Sequence, residues 1–218
     1  MPRIAIALAL AAAGALAGCT DAGQRPAEPR PAARPNPFGW INPARQVNLA
    51  GMEAYHRGDY ERARAAFDEA IELKPETAAY HANAGLAEQA LYNWDRAARH
   101  YHVATQLDPA LVGAYLGQAQ CLLARGEPGR ALAVLEAGAG ANPRTGQAYV
   151  NVAKYHAVMG DLRAARHWLA RAAVADPGNP RVHREYAALL ARLGETDKAT
   201  EEMEKARQLE PAAPAARP

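Results

Sequence analysis

Several things are scarce in this chain. Aromatic residues make up only 6% of 218 positions, and there are only two cysteines, Cys19 and Cys121. A disulfide scaffold is therefore excluded. Lys+Arg 25 against Asp+Glu 23 leaves a net charge of +2, too small to build a field toward nucleic acid. No apolar run reaches the roughly 20 residues that a membrane-spanning helix needs. The longest runs from Ile4 to Ala17. What the chain does have is apolar residues, at 50% and largely Ala, which excludes a wholly disordered polymer.

The N-terminal run follows one positive charge, Arg3, and has the length of a signal-peptide core. It ends Leu16-Ala17-Gly18-Cys19. These residues resemble the bacterial lipobox, in which small residues admit the cleavage enzyme and the thiol takes up diacylglycerol. The resemblance implies a signal peptide over 1–18 and a mature chain that starts at a lipidated Cys19. The rest of the chain would then stay soluble while a lipid holds it to a membrane. Thr20, rather than Asp, follows the cysteine. By the enterobacterial sorting rule this implies the outer membrane, with the body facing the periplasm. Residues 19–43 carry six prolines and no apolar periodicity, and read as an extended tether. Phe38-Gly39-Trp40-Ile41 is an apolar island expected to fold back onto the first helix as an N-terminal cap, with a partner-docking motif as the alternative. Residues 214–218 read as a disordered tail.

Between these ends the sequence repeats itself. Pro75, Pro109, Pro143, Pro177 and Pro211 are 34 apart. Ala63, Ala97, Ala131, Ala165 and Ala199 keep the same interval, as do Gly51, Gly85, Ala119, Ala153 and Ala187. A bulky series is Phe67, Tyr101, Leu135, Leu169 and Met203. A second small series is Ala70, Ala104, Gly138, Ala172 and Ala206. A turn series is Gly58, Tyr92, Gly126, Gly160 and Gly194. Each unit reads as helix A, a turn, helix B and a turn. Small residues mark where the helices approach, bulky ones fill the gap to the neighbour, and proline stops helix B. Gly138 and Gly140 predict a soft helix B in the third unit, because glycine costs a helix roughly 1 kcal/mol relative to alanine.

These series resemble the tetratricopeptide repeat family over five units: 44–77, 78–111, 112–145, 146–179 and 180–213. The resemblance implies an all-α fold, a right-handed superhelical solenoid of five helix–turn–helix repeats. It also implies a concave face lined by A helices that takes a protein or peptide partner. Carried over by repeat position, the groove residues are Asn48, Met52, Tyr55, Asn83, Leu86, Gln89, Leu116, Gln120, Leu123, Val150, Asn151, Lys154 and Arg184. Asn83 and Asn151 stand where family members present an amide to peptide backbone. The carboxylate clamp for chaperone C-termini is ruled out. Gly113 and Gly117 stand where it needs Lys or Arg, and shifting the register fails at Leu116, Gln120 and Glu185.

No catalytic, metal or cofactor site is expected. The seven histidines show no supported ligand spacing, and Gly138-Ala139-Gly140 lacks the lysine and strand of a phosphate loop. Cys121 reads as a buried apolar residue, and His81 and His183 as packing residues. The expected function is a membrane-tethered adaptor in the cell envelope, with pilus or secretion assembly as the first choice of process. The alternatives are an enzyme or enzyme subunit with a site built across repeats, and a passive periplasmic spacer.

Overall fold

The structure, a computed structural model, describes residues 42–210. The expected signal peptide, Cys19, the tether up to residue 41, the Phe38–Ile41 island and the tail lie outside the described residues, while Asn42 and Pro43, expected to close the tether, instead cap and open the first helix. Among those described, ten helices follow one another and no strand occurs. They are α1 (Pro43–His56), α2 (Tyr60–Leu73), α3 (Ala78–Ala90), α4 (Trp94–Leu107), α5 (Val112–Ala124), α6 (Pro128–Ala141), α7 (Gly146–Val158), α8 (Leu162–Ala175), α9 (Pro180–Arg192) and α10 (Thr196–Leu209). Each helix packs against the next, and successive odd helices also touch. That is an all-α tetratricopeptide-type solenoid, in which every unit contacts only its neighbours.

The ends of the A helices are built alike in every unit. The N–H groups of Asp59, Asn93, Glu127, Asp161 and Glu195 reach back five residues to the carbonyls of Ala54, Glu88, Leu122, His156 and Leu190, at 2.8–3.0 Å. This closure needs a left-handed residue just before it. Gly58, Gly126, Gly160 and Gly194 supply it with φ of 77–85°, and Tyr92 does so at φ 60°. In that second unit a fully buried carboxylate braces the turn. Glu88 accepts a 2.7 Å hydrogen bond from Asn93 Nδ2, and Arg96 Nε stands 3.0 Å from its other oxygen.

The small series form the helix contacts. Ala63, Ala97, Ala131 and Ala165 are fully buried, and Ala199 nearly so. Glycine and aromatic positions compensate each other. A Cβ at Gly51 would stand 2.6 Å from Phe67 Cε1, and one at Gly85 2.9 Å from Tyr101 Cε1. Where the filler shrinks to Leu135 or Leu169, the partner grows to Ala119 or Ala153, all buried. Close packing of this kind tolerates little added volume.

The third unit keeps its repeat, as expected. α6 runs unbroken through Gly138 and Gly140 to Ala141. Gly138 is buried under the Tyr115 ring, where a Cβ would meet Cγ at 2.8 Å. The intrinsic cost of that glycine is offset by an aromatic contact that alanine would obstruct.

Candidate functional site

The thirteen groove residues come from the five odd helices: three each from α1, α3, α5 and α7, and Arg184 from α9. Leu86 is 37% exposed, and Gln120, Lys154 and Arg184 are exposed. Asn48, Met52, Tyr55, Asn83, Gln89, Leu116 and Leu123 are half-buried. Val150 and Asn151 depart from the expectation. Val150 is only 1% exposed and joins the core around Leu135 and Leu169. Asn151 is 5% exposed, and its Oδ1 accepts from Gln147 Nε2 at 2.9 Å. Neither side chain is available to a partner, because α7 is packed between its neighbours along most of that face.

The polar residues are tied from one A helix to the next. Asn83 Nδ2 donates to Asn48 Oδ1 at 2.8 Å, linking α1 and α3. Gln89 Nε2 donates to Gln120 Oε1 at 3.2 Å, linking α3 and α5. Lys154 Nζ donates to Glu185 Oε1 at 2.6 Å, linking α7 and α9. Among the described residues, the Asn48–Asn83 pair leaves Asn48 Nδ2 and Asn83 Oδ1 unused, one donor and one acceptor, which is what an extended backbone requires. Gln89 is committed on both sides, since its Oε1 accepts from Tyr101 O–H at 2.9 Å. Arg184 is ion-paired with Glu210.

Of the leucines, Leu116 and Leu123 also pack against the core of the third and fourth units. Leu86 is the groove leucine least committed to packing. Gly117 has a reason that sequence position alone does not reveal. A Cβ there would overlap the Tyr101 ring, which crosses from the second unit to the third. The residue whose lack of charge excludes the carboxylate clamp is small because an aromatic neighbour occupies its space.

Several titratable groups serve the packing. Burial pushes the Cys121 thiol up to about 11, so it stays a protonated, inert apolar group. Burial likewise raises the Tyr101 phenol. His81 and His183 donate through Nε2 to the carbonyls of Pro75 and Pro177, each at 2.9 Å, and Tyr149 O–H reaches Pro143 O at 3.3 Å. One repeat position thus clips an A helix to the proline that ends the preceding B helix. Nearly buried Glu202 accepts from His183 Nδ1 at 2.6 Å and from Lys205 at 2.7 Å. Burial alone would raise its pKa, but the bonds from His183 and Lys205 outweigh that and hold it low. Among the described residues no group of three or more His, Cys, Asp or Glu is placed to hold a metal ion.

Two hollows lie away from the groove. One of about 560 Å³ opens between α8, α9 and α10 beside His183, Tyr186 and Glu202. One of about 380 Å³ opens beside Tyr149, His167 and Arg171. Groove-centred repeat positions could not signal them, because both are built largely from B helices.

Three tetratricopeptide repeat models match the chain, over residues 45–77, 89–153 and 150–216. A curated relative is the small glutamine-rich tetratricopeptide repeat-containing protein 2 of Saccharomyces cerevisiae, 32% identical over 89 residues. The match takes in 41% of this chain and 26% of the yeast protein, so the chain spans about a quarter of that relative's length. Similar solved structures include pilF of Pseudomonas aeruginosa (TM-score 0.59, 19% identity, 78% of each chain). TTC0263, a thermophilic TPR protein of Thermus thermophilus, has a TM-score of 0.57 at 20% identity over 78% of this chain and 92% of its own. MamA of Desulfovibrio magneticus has a TM-score of 0.54 at 22% identity, covering 76% and 94%. At these identities the likeness shows the fold alone.

Proposed function

The chain belongs to the tetratricopeptide repeat family, an interaction scaffold, and from that premise we propose that it is a non-catalytic, membrane-tethered adaptor of the cell envelope. A lipid on Cys19 holds it to a membrane, the outer membrane in our reading, and the repeats face the periplasm. The A-helix face takes an extended or helical peptide from a partner protein. The observation that carries this reading is the pairing, on neighbouring A helices, of exposed Leu86 with the half-used amides of Asn48 and Asn83. An apolar anchor beside a free donor and a free acceptor suits a peptide with an apolar stripe. Assembly of a pilus or secretion apparatus is the process we put first, because lipoproteins built from similar repeats include such factors.

Two measurements test the reading. A photoreactive amino acid placed in living cells at position 86, and separately at 120, should trap the same protein. Different or absent adducts would remove the groove from the account. The Cys19→Ser variant should leave the membrane fraction. If it still sediments with membranes after a salt wash, acylation is not the anchor.

A further inference from the structure

α8 is unlike the other B helices. α2, α4, α6 and α10 each carry acidic residues, whereas α8 holds Arg163, Arg166, His167 and Arg171 and no Asp or Glu. Arg166 is paired with Glu195 at 3.0 Å. Among the described residues, Arg163, His167 and Arg171 have no carboxylate partner. With Val174 they are exposed at intervals of four, four and three residues, so they form one stripe along the helix.

Arg171 is held in place by stacking. Its guanidinium carbon lies 4.3 Å from the centroid of the Trp168 ring and 5.0 Å from that of Tyr149. A guanidinium restrained by two cation–π contacts has already lost part of its rotamer entropy, and its planar fork of N–H donors suits a two-oxygen acceptor. Beside it lies the hollow of about 380 Å³, walled by Pro143, Tyr149, Val174 and Ala175. Val174 is 82% exposed and forms the ridge between this hollow and the larger one next to it. One repeat earlier the equivalent position is Gly140, where an added Cβ would meet only open space.

We propose that this cleft on the α8 face docks an acidic segment of a protein partner, with an aliphatic or aromatic side chain in the hollow and Asp or Glu on Arg171 and Arg163. Charge decides the class of occupant. A neutral or basic segment covering the stripe would desolvate cations without giving them a counter-charge. The cleft lies on a B helix, whereas the groove is built from A helices. The chain would therefore hold two ligands on two faces, and this site stands whether or not the groove binds.

The test is a selection from a random dodecapeptide phage library on the full chain. Enriched peptides are then synthesised and titrated by fluorescence anisotropy. Peptides with at least two Asp or Glu beside a Leu, Ile, Phe or Trp should dominate. The Arg163→Glu/Arg171→Glu variant should weaken them about tenfold or more while helicity is unchanged, since both residues are exposed. Arg171→Lys keeps the charge but not the planar fork, and should weaken them several-fold. Leu86→Glu should leave them unaffected. Selection of neutral or basic peptides, or no enrichment, would overturn the proposal, as would binding indifferent to the charge reversal. Loss of binding in Leu86→Glu would place the peptides in the groove and also overturn it. Vesicles with about 30% phosphatidylglycerol supply the last arm. If they bind the chain, lose it on charge reversal and displace the peptides, the stripe reads a lipid surface instead.

Discussion

Two single residues depart from their repeat-mates in ways that can be measured. Tyr92 takes the left-handed conformation that glycine supplies in the other four units. A side chain there costs about 1–2 kcal/mol. The exposed ring recovers part of that through an edge contact with Trp94, at 5.6 Å between centroids. Glycine would also lose more entropy on folding. The strain outweighs these, so we predict that Tyr92→Gly stabilises the protein by about 0.5 kcal/mol. Thermal melting would show it, and a lowered midpoint would mean that the ring contact dominates. Glu202 is the second case. Its folded pKa is depressed by His183 and Lys205. Its contribution is therefore present above the unfolded carboxylate value of about 4.3, and is lost as pH falls through the lower folded value. In melts taken from neutral pH down through that window, Glu202→Gln should be less stable near neutrality and lose less on acidification. Parallel curves for the two proteins would show that the buried carboxylate carries no linkage.

At the scale of helices, the units are fixed by where small residues meet large ones. Ala131 is fully buried on α6 and shares a core cluster with Ala119 of α5. Leucine at 131 would force the pair apart at a cost of about 1–3 kcal/mol. We predict that Ala131→Leu lowers the melting midpoint and opens α5–α6 to protease. Unchanged melting and unchanged cleavage would show that the contact has slack. The helices and their turns are legible in the sequence because each depends on a local pattern repeated five times. Proline spacing, the glycine before the turn and the small and bulky series all recur at 34. Individual side chains on the A helices are less legible. Val150 holds a groove position by register, but its burial depends on how close α5 and α9 come to α7. Gly138 reads as a helix defect until the Tyr115 ring is placed above it. Trp168, Arg171 and Tyr149 cannot be assembled from spacing alone, since Tyr149 belongs to another helix. Only the missing acidic residues of α8 are readable in advance.

The whole molecule presents two faces of different chemistry. One is an amide-lined face of A helices with Leu86 at its apolar point, and the other an arginine-striped face on α8. Anchors near the centre of an interface usually dominate its energy, with truncations costing about 2 kcal/mol or more. Leu116 and Leu123 also serve the core. Charged substitutions there would mix unfolding with loss of binding, whereas Leu86 is exposed enough to change alone. The most direct measurement is therefore the yield of the protein trapped by a photocrosslinker at position 120, compared with and without Leu86→Glu, with helicity checked by circular dichroism. The account predicts at least a tenfold fall in that adduct with helicity and membrane attachment unchanged. An undiminished adduct with intact helicity would contradict it.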